Sequence, residues 1–590
     1  MSTTKISFWR IFWPSVVASI SLSILGWIFW IFVLGALTPT PTVKDMHVLH
    51  MSLHGPIGER SETSINPTSF KQDEKIGLSD ILFGLKQAKD DNSVDGIYIE
   101  IGAIQCGYAT AMEIRNALID FKKSGKFLIA YLQGEVVTQK QYYISTAAEK
   151  IYGFETSSME FLGLGGELMF FKNTLDELGV EMQVIRGSNN DFKSAVEPYF
   201  RTTMSDSSRV QMQRYITSMW EDILAQISEA RSIPVKTLNN LAENSSIVRL
   251  KDAYKYKLID GLKYKDEVEK LVLAKTSKKD FKNMMTFEEY AHTNFLNNQL
   301  AFSDSYTPNI AVIVGEGGIT VDGDELTSQK ICSYFKEVRN DNNIKAVVFR
   351  VNSPGGSALA SEEIWREVSL TAKKKKVIVS MGDVAASGGY YISTPADVIF
   401  AEPTTITGSI GVFGVIPYLG NFMENKLGLT FDHVQTNKHS VLSLNRKLTE
   451  DELKLIQQEV DLTYMQFKKR VADGRKLSLE VVQKVARGRV WTGKDALKIG
   501  LVDKLGGFEE ALAYTLKEVK ISDARIKYYP EEKTSMLDDI IKQLSEEEQV
   551  KLKIKTSKVP RVVEELTNQL NRIESCSGIQ MRLPFDVQIH

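Results

Sequence analysis

The chain has 590 residues, 43% of them hydrophobic and 25% charged, with 72 Lys and Arg against 74 Asp and Glu. That length exceeds a single hydrophobic core and predicts two to four domains. A net charge of −2 offers no basic face for nucleic acid, and three scattered cysteines (Cys106, Cys332 and Cys576) exclude a disulfide framework or a zinc site.

The N-terminus is read first. Residues 1–15 form a short segment carrying Lys5 and Arg10, followed by an uncharged apolar run over 16–37. About 22 residues suffice to cross a hydrocarbon core of roughly 30 Å, and Trp13, Trp27 and Trp30 are interface-type aromatics. A cleaved signal has a shorter apolar region and a small-x-small site, for which Ala36 has only Leu34 as partner. The run therefore predicts one transmembrane anchor. The positive residues before it put the bulk of the chain on the outer face.

After the anchor the sequence contains itself twice. Gly134–Ala148 reads GEVVTQKQYYISTAA and Gly382–Ala396 reads GDVAASGGYYISTPA, with eight of fifteen positions identical at an offset of 248. The offset continues to Gly163 against Gly411 and Gly166 against Gly414. Upstream, Val94–Ile101 matches Ile344–Val351, and Glu113 matches Glu363; downstream, Lys251–Asp260 matches Lys494–Asp503. The repeat is domain-sized, so it predicts a tandem pair over 45–305 and 306–529, with the boundary near Asn297–Pro308. In each half short Val/Ile-rich runs alternate with helical stretches. Ile310–Val314, Ala346–Val351 and Val377–Ser380 are strand-like; Ser328–Arg339, Ser361–Ala372 and a longer helix near Glu450–Ala472 are helical, the last matching about Ser205–Ser232. That pattern predicts parallel sheet in an α/β architecture. Residues 530–590 read as an appended charged tail ending in RLPFDVQI, a candidate last strand.

The duplication supplies an internal comparison. In the second half a strand runs into NSPGGS (Asn352–Ser357), and the next runs into AASGGYY, which puts Ser387 at a strand-to-helix junction. Glycine turns present backbone N–H groups that can hold an oxyanion, so Gly355 or Gly356, with the N–H of Ser387 or Gly388, are candidate donors. In the first half Ser387 aligns with Gln139, Gly388-Gly389 with Lys140-Gln141, and Gly355-Gly356 with Gln105-Cys106, while the framework from Tyr142 to Thr146 stays. This is the pattern of a degenerate copy that cannot supply a nucleophile. A serine needs a base. None of His47, His50, His54, His292, His433, His439 and His590 lies in a glycine-rich turn beside a carboxylate, and the spacing of the first three fits packing along an edge strand better than a metal site. The first half does carry DFKSAVEP (Asp191–Pro198) after a strand-like run at Glu181–Arg186; spacing alone leaves its Lys193 an ordinary surface lysine.

NSPGGS, AASGGYYISTPAD, TGSIGVFG (Thr407–Gly414) and DFKSAVEP, in this arrangement, resemble the bacterial signal peptide peptidase A family in its long, duplicated form, over about residues 45–515. The resemblance implies two crotonase/Clp-protease-like domains, Ser387 as nucleophile and Lys193 as its base. It also implies an oxyanion hole at Gly355, Gly356 and Gly388, and Ser409 as a hydroxyl that orients the lysine. It further implies a homotetramer, signal peptide remnants as substrates, no metal or cofactor, and a site on the periplasmic side of a bacterial inner membrane. A free lysine is protonated at neutral pH, so the dyad requires a buried Lys193 with Asp191 and Glu197 turned away. An acyl-coenzyme A enzyme of the crotonase type, which would place carboxylates at the glycine turns, and a non-catalytic membrane scaffold are the competing readings.

Overall fold

The computed structural model describes residues 48–65, 72–276, 284–291, 307–323, 326–522, 524–531 and 579–582. The expected anchor at 16–37 and most of the expected boundary at 297–308 lie outside them. Among the described residues no helix is long and apolar enough to cross a membrane.

The repeat in the sequence is a repeat in topology. In the first half Val48–Pro56, Gly96–Gln105, Phe127–Leu132, Lys150–Gly153 and Gly261–Leu262 lie in that order across a sheet, every neighbouring pair parallel. In the second half Ile310–Glu316, Ala346–Ser353, Lys376–Ala386, Val398–Ala401 and Lys504–Leu505 repeat the order, again parallel throughout. The second sheet gains an outer strand, Ile526–Tyr529, beside Ile310–Ile313. Ala346–Val351 is buried at every position, as a parallel strand covered on both faces must be. His50 lies on the edge strand of the first sheet, as its spacing suggests, and pairs with Glu100 at 3.2 Å.

Helix ends follow the side-chain chemistry. Thr449 and Glu452 close a reciprocal capping box at the start of Glu450–Arg475, and the Ser205 hydroxyl accepts the Ser208 N–H at the start of Asp206–Arg231. Ser328–Asn340 and Ala358–Ala372 fall where expected, the latter starting three residues early under a Ser357 cap.

Two expectations are corrected. The strand expected over Val377–Ser380 runs on to Ala386, because Val384–Ala386 pairs with Ile406–Gly408 and Asn352 Oδ1 accepts the Val384 N–H. The expected glycine turn at Gly355-Gly356 is a short strand, Gly355–Ser357, held between Ile319–Thr320 and Ile579–Arg582. That last strand lies just before RLPFDVQI and shares only Arg582 with it; residues 583–590 lie outside the described residues.

A third sheet ties the halves together. Its order is Leu326–Thr327, Ile319–Thr320, Gly355–Ser357, Ile579–Arg582, Phe413–Tyr418, Glu181–Arg186. The last strand belongs to the first half and pairs antiparallel with the second, from Arg186 opposite Phe413 to Glu181 opposite Tyr418.

The halves also share a buried charge cluster. The Arg350 guanidinium, 2% exposed, meets Glu59 at 2.8 Å and Glu113 at 2.6 Å, both from the first half. Glu113 also accepts the Phe508 N–H at 2.7 Å. Burial pushes the Glu113 carboxyl up to about 7 even with Arg350 against it. Removing one partner of such a group strands charge in the interior. Arg350→Met is expected to lower stability by about 3–5 kcal/mol, read as a shift in the urea unfolding midpoint with an unchanged slope.

Candidate active site

Ser387 sits where Lys376–Ala386 ends and the helix Gly388–Ser393 begins. Its backbone is at φ 56°, ψ −113°, outside the regions a non-glycine residue ordinarily occupies. Strain of this kind persists only where the surroundings impose it. The Ser387 N–H donates to Gly408 O at 2.8 Å and its carbonyl accepts the Tyr391 N–H at 2.8 Å, which clamps the residue from both sides. The two following glycines permit the close approach of the 353–357 segment. A methyl group on Gly388 would stand 2.7 Å from Ser361 Oγ and 3.1 Å from Gly355 Cα, and one on Gly389 2.5 Å from Ser353 O.

Lys193 reaches this serine from the other half of the same chain. The pairing of Arg186 with Phe413 brings the residues after Arg186 over those before Phe413. The Gly187 N–H and the Asn190 side-chain amide both donate to Val412 O, at 3.1 and 2.9 Å. The chain then turns so that Lys193 Nζ lies 2.8 Å from Ser387 Oγ, 2.9 Å from Ser409 Oγ and 3.1 Å from Ser409 O. Lys193, Ser387 and Ser409 are all at 0% exposure. Burial holds the Lys193 amine well below its usual range.

The nearby carboxylates are turned elsewhere, as the dyad requires. Asp191 takes both arms of Arg487, at 2.7 and 2.6 Å, and Glu197 accepts the Ser205 N–H at 3.0 Å and its hydroxyl at 2.5 Å. The Ser409 carbonyl can only accept, so it takes one N–H of the Lys193 amine, and the Ser409 and Ser387 hydroxyls complete its contacts.

Two candidate donors are spent within the fold. The Ser387 N–H is committed to Gly408 O at 2.8 Å. The Gly355 N–H is turned to Ser353 Oγ at 3.2 Å. Gly388, the first residue of its helix, carries an N–H that the helix itself does not satisfy.

Several positioning residues escaped the sequence reading. Gly488, at φ 75°, lies against Lys193: a methyl group there would stand 2.5 Å from Lys193 Cβ. The same loop fixes both partners, since Arg487 O accepts the Phe192 N–H at 2.9 Å and Arg489 O accepts the Ser409 N–H at 2.7 Å. Gln211 supports the lysine segment by donating to Phe192 O and Ser194 Oγ. In sequence, ARGRV gives no sign of this; only its glycine at a turn is a weak signal. The first half's counterpart of the serine is filled rather than empty. Gln139 donates to the Tyr108 hydroxyl at 3.2 Å and accepts the Gly163 N–H at 3.1 Å.

The model of Peptidase family S49 matches residues 120–279 and 369–522, one segment in each half. The chain belongs to peptidase family S49. It is 35% identical to Protease 4 of Salmonella typhi over 78% of this chain and 75% of that one. It is 33% identical to Protease 4 of Haemophilus influenzae over 84% and 83%. The chloroplastic serine protease SPPA of Arabidopsis thaliana is 29% identical over 82% and 71%. The chain is thus a long, duplicated S49 serine peptidase.

The lowered Lys193 has a thermodynamic signature. Between its folded pKa and the ordinary lysine value, the unfolded chain binds a proton that the folded chain does not. Stability therefore rises with pH across that window, by about 1.4 kcal/mol per unit. Urea unfolding at pH 8.0 and 9.5 is expected to show wild type gaining stability over Lys193→Met as the pH rises.

Proposed function

We propose that this S49 member is an endopeptidase with a Ser387/Lys193 dyad. The first domain, residues 45–305, supplies the base, and the second, 306–529, the nucleophile. The single observation that carries the reading is the 2.8 Å contact between a buried lysine amine and a serine hydroxyl held in a strained backbone. Ser387 Oγ attacks the peptide carbonyl while Lys193 takes its proton. Lys193 then passes that proton to the leaving amine, and water cleaves the acyl-enzyme with the lysine as base again. Gly356 and Gly388, beside Gly355, hold the oxyanion, and Ser409 keeps the amine's lone pair on Ser387. No metal or cofactor enters this cycle.

The crotonase/Clp-protease-like fold of both domains belongs to the same reading, as do the anchor at 16–37 and a homotetrameric assembly. So do a location on the periplasmic side of a bacterial inner membrane and cleaved signal peptides as the substrate class. The acyl-coenzyme A reading needs a carboxylate acid or base at the glycine strand; the group at Ser387 is instead an amine without an ion-pair partner among the described residues. A scaffold would have no use for the strain at Ser387.

Ser387→Ala and Lys193→Ala are each expected to lower kcat on a fluorogenic peptide by about 10⁴-fold or more while circular dichroism stays unchanged. Retention of near-normal turnover by either variant would remove the dyad. Ser409→Ala, losing one hydrogen bond to the base, is expected to cost about 10–100-fold. The wild-type profile of kcat/KM should fall on the acid side, as Lys193 takes up a proton, well below the pH at which an exposed lysine titrates.

A further inference from the structure

A stack of side chains beside the dyad takes no part in the proton transfer. The Arg489 guanidinium stands 5.2 Å from the centre of the Phe192 ring and 4.2 Å from that of Trp491. The Arg487 guanidinium also lies 5.2 Å from the Phe192 ring. Phe192 comes from the first half and immediately precedes Lys193; both arginines and Trp491 come from the second half.

Each end of the stack is tied to one member of the dyad. The Phe192 N–H donates to Arg487 O at 2.9 Å, and its carbonyl accepts the Gln211 side-chain amide at 3.0 Å. At the other end Trp491 lies opposite Thr407 in the sheet, and its ring presses on the next residue. A methyl group on Gly408 would stand 2.8 Å from Trp491 Cδ1. Gly408 is the residue whose carbonyl accepts the Ser387 N–H. The indole N–H donates to Val485 O at 2.9 Å, which fixes the ring.

The two arginines differ. Arg487 is spent on Asp191. Arg489 makes no ion pair among the described residues, and its Nε is buried without a hydrogen-bond partner there. The Asp495 carboxylate, which favours its charge, is held by both arms of Arg214 at 2.9 Å and by Lys498 at 2.9 Å; Arg214 and Arg487 oppose that charge. Two ring faces therefore hold the Arg489 guanidinium, and a partly desolvated guanidinium is attracted by both. Burial is what keeps the Lys193 amine low, with Asp191 on Arg487, Glu197 on Ser205, and the oxygens of Ser387 and Ser409 around Nζ. Loosening the segment so that water enters returns such an amine toward its ordinary, protonated state.

We propose that Phe192 and Arg489 are positioning residues of the dyad: one cation clasped by two rings joins the segment that carries the base to the strand that holds the nucleophile. The proposal rests on the Ser387/Lys193 reading above.

The test is the pH profile of kcat/KM for a fluorogenic peptide, with the full chain. Arg489→Met keeps a long side chain and loses the cation; Phe192→Leu keeps an apolar residue and loses the ring. Each is expected to lower kcat about tenfold with KM within about twofold of wild type. Each should also move the acid limb up by about one pH unit, as Lys193 regains water. Phe192→Tyr, which keeps the ring, should leave the limb in the wild-type place. A limb unmoved in either Arg489→Met or Phe192→Leu overturns the proposal, whether or not kcat falls, because a merely weakened fold does not shift it. A limb moved as far by Phe192→Tyr as by Phe192→Leu overturns it as well. If one variant fails to fold the other decides, and if both fail the stack belongs to the fold and the proposal falls. Should wild type cleave no peptide, it is the peptidase reading that fails, and urea unfolding then decides the role of the stack. Arg489→Met should lose the gain in stability with rising pH that Lys193 gives wild type, and keeping that gain refutes the positioning role.

Discussion

A lysine amine at zero exposure, with hydroxyl and carbonyl oxygens for company and no carboxylate among the described residues, sets the terms for the rest of this structure. Burying such a group costs free energy that the chain does not recover through an ion pair. The surroundings must therefore be rigid enough to hold it. The antiparallel pairing of Glu181–Arg186 with Phe413–Tyr418 does this for the backbone. The 487–489 loop does it locally, with one carbonyl on Phe192, another on Ser409 and a glycine pressed against the lysine stem. Arg487 draws Asp191 away, which keeps the amine from gaining an anion that would raise its pKa again.

The two halves divide the work. Both keep the five-stranded parallel sheet, and the buried helix that follows Gly134 in one half follows Gly382 in the other. In the second half that helix starts on a strained serine against glycine backbone. In the first, Gln139 and Gln141 fill the corresponding space, and Gln141 donates to Ile101 O and Gln133 O. Glutamine side chains replace a cleft with a satisfied interior. The first half is then free to serve as the platform that carries Lys193, and Arg350 locks that platform to the second half through two buried carboxylates.

The duplication, the alternation of strand and helix and the position of Ser387 were legible in the sequence. Local chemistry decides each of them: apolar runs make buried strands, caps start helices, and a glycine pair after a serine allows close backbone approach. The comparison of the halves also showed which copy had lost the glycines. The segment Gly355–Ser357 reads locally as a turn and is a strand because its two partners lie far away in the chain, at Ile319 and at Met581. Pairing with distant strands overrides local turn preference.

What the sequence determined by itself is a tandem α/β chain with one serine-bearing junction and one degenerate copy of it. The lysine was different. Nothing in DFKSAVEP distinguishes Lys193 from a solvated surface residue, and only resemblance to a family singled it out. The tertiary structure decided that it is buried, that its amine meets Ser387 within one chain, and that Asp191 and Glu197 turn away. It also decided that the Ser387 N–H is spent on Gly408 and that Ile579–Arg582 pairs with Gly355–Ser357 and Phe413–Gly414. These are contacts between residues hundreds of positions apart. Their energies depend on desolvation and on pairing geometry, which exist only once the sheets have formed.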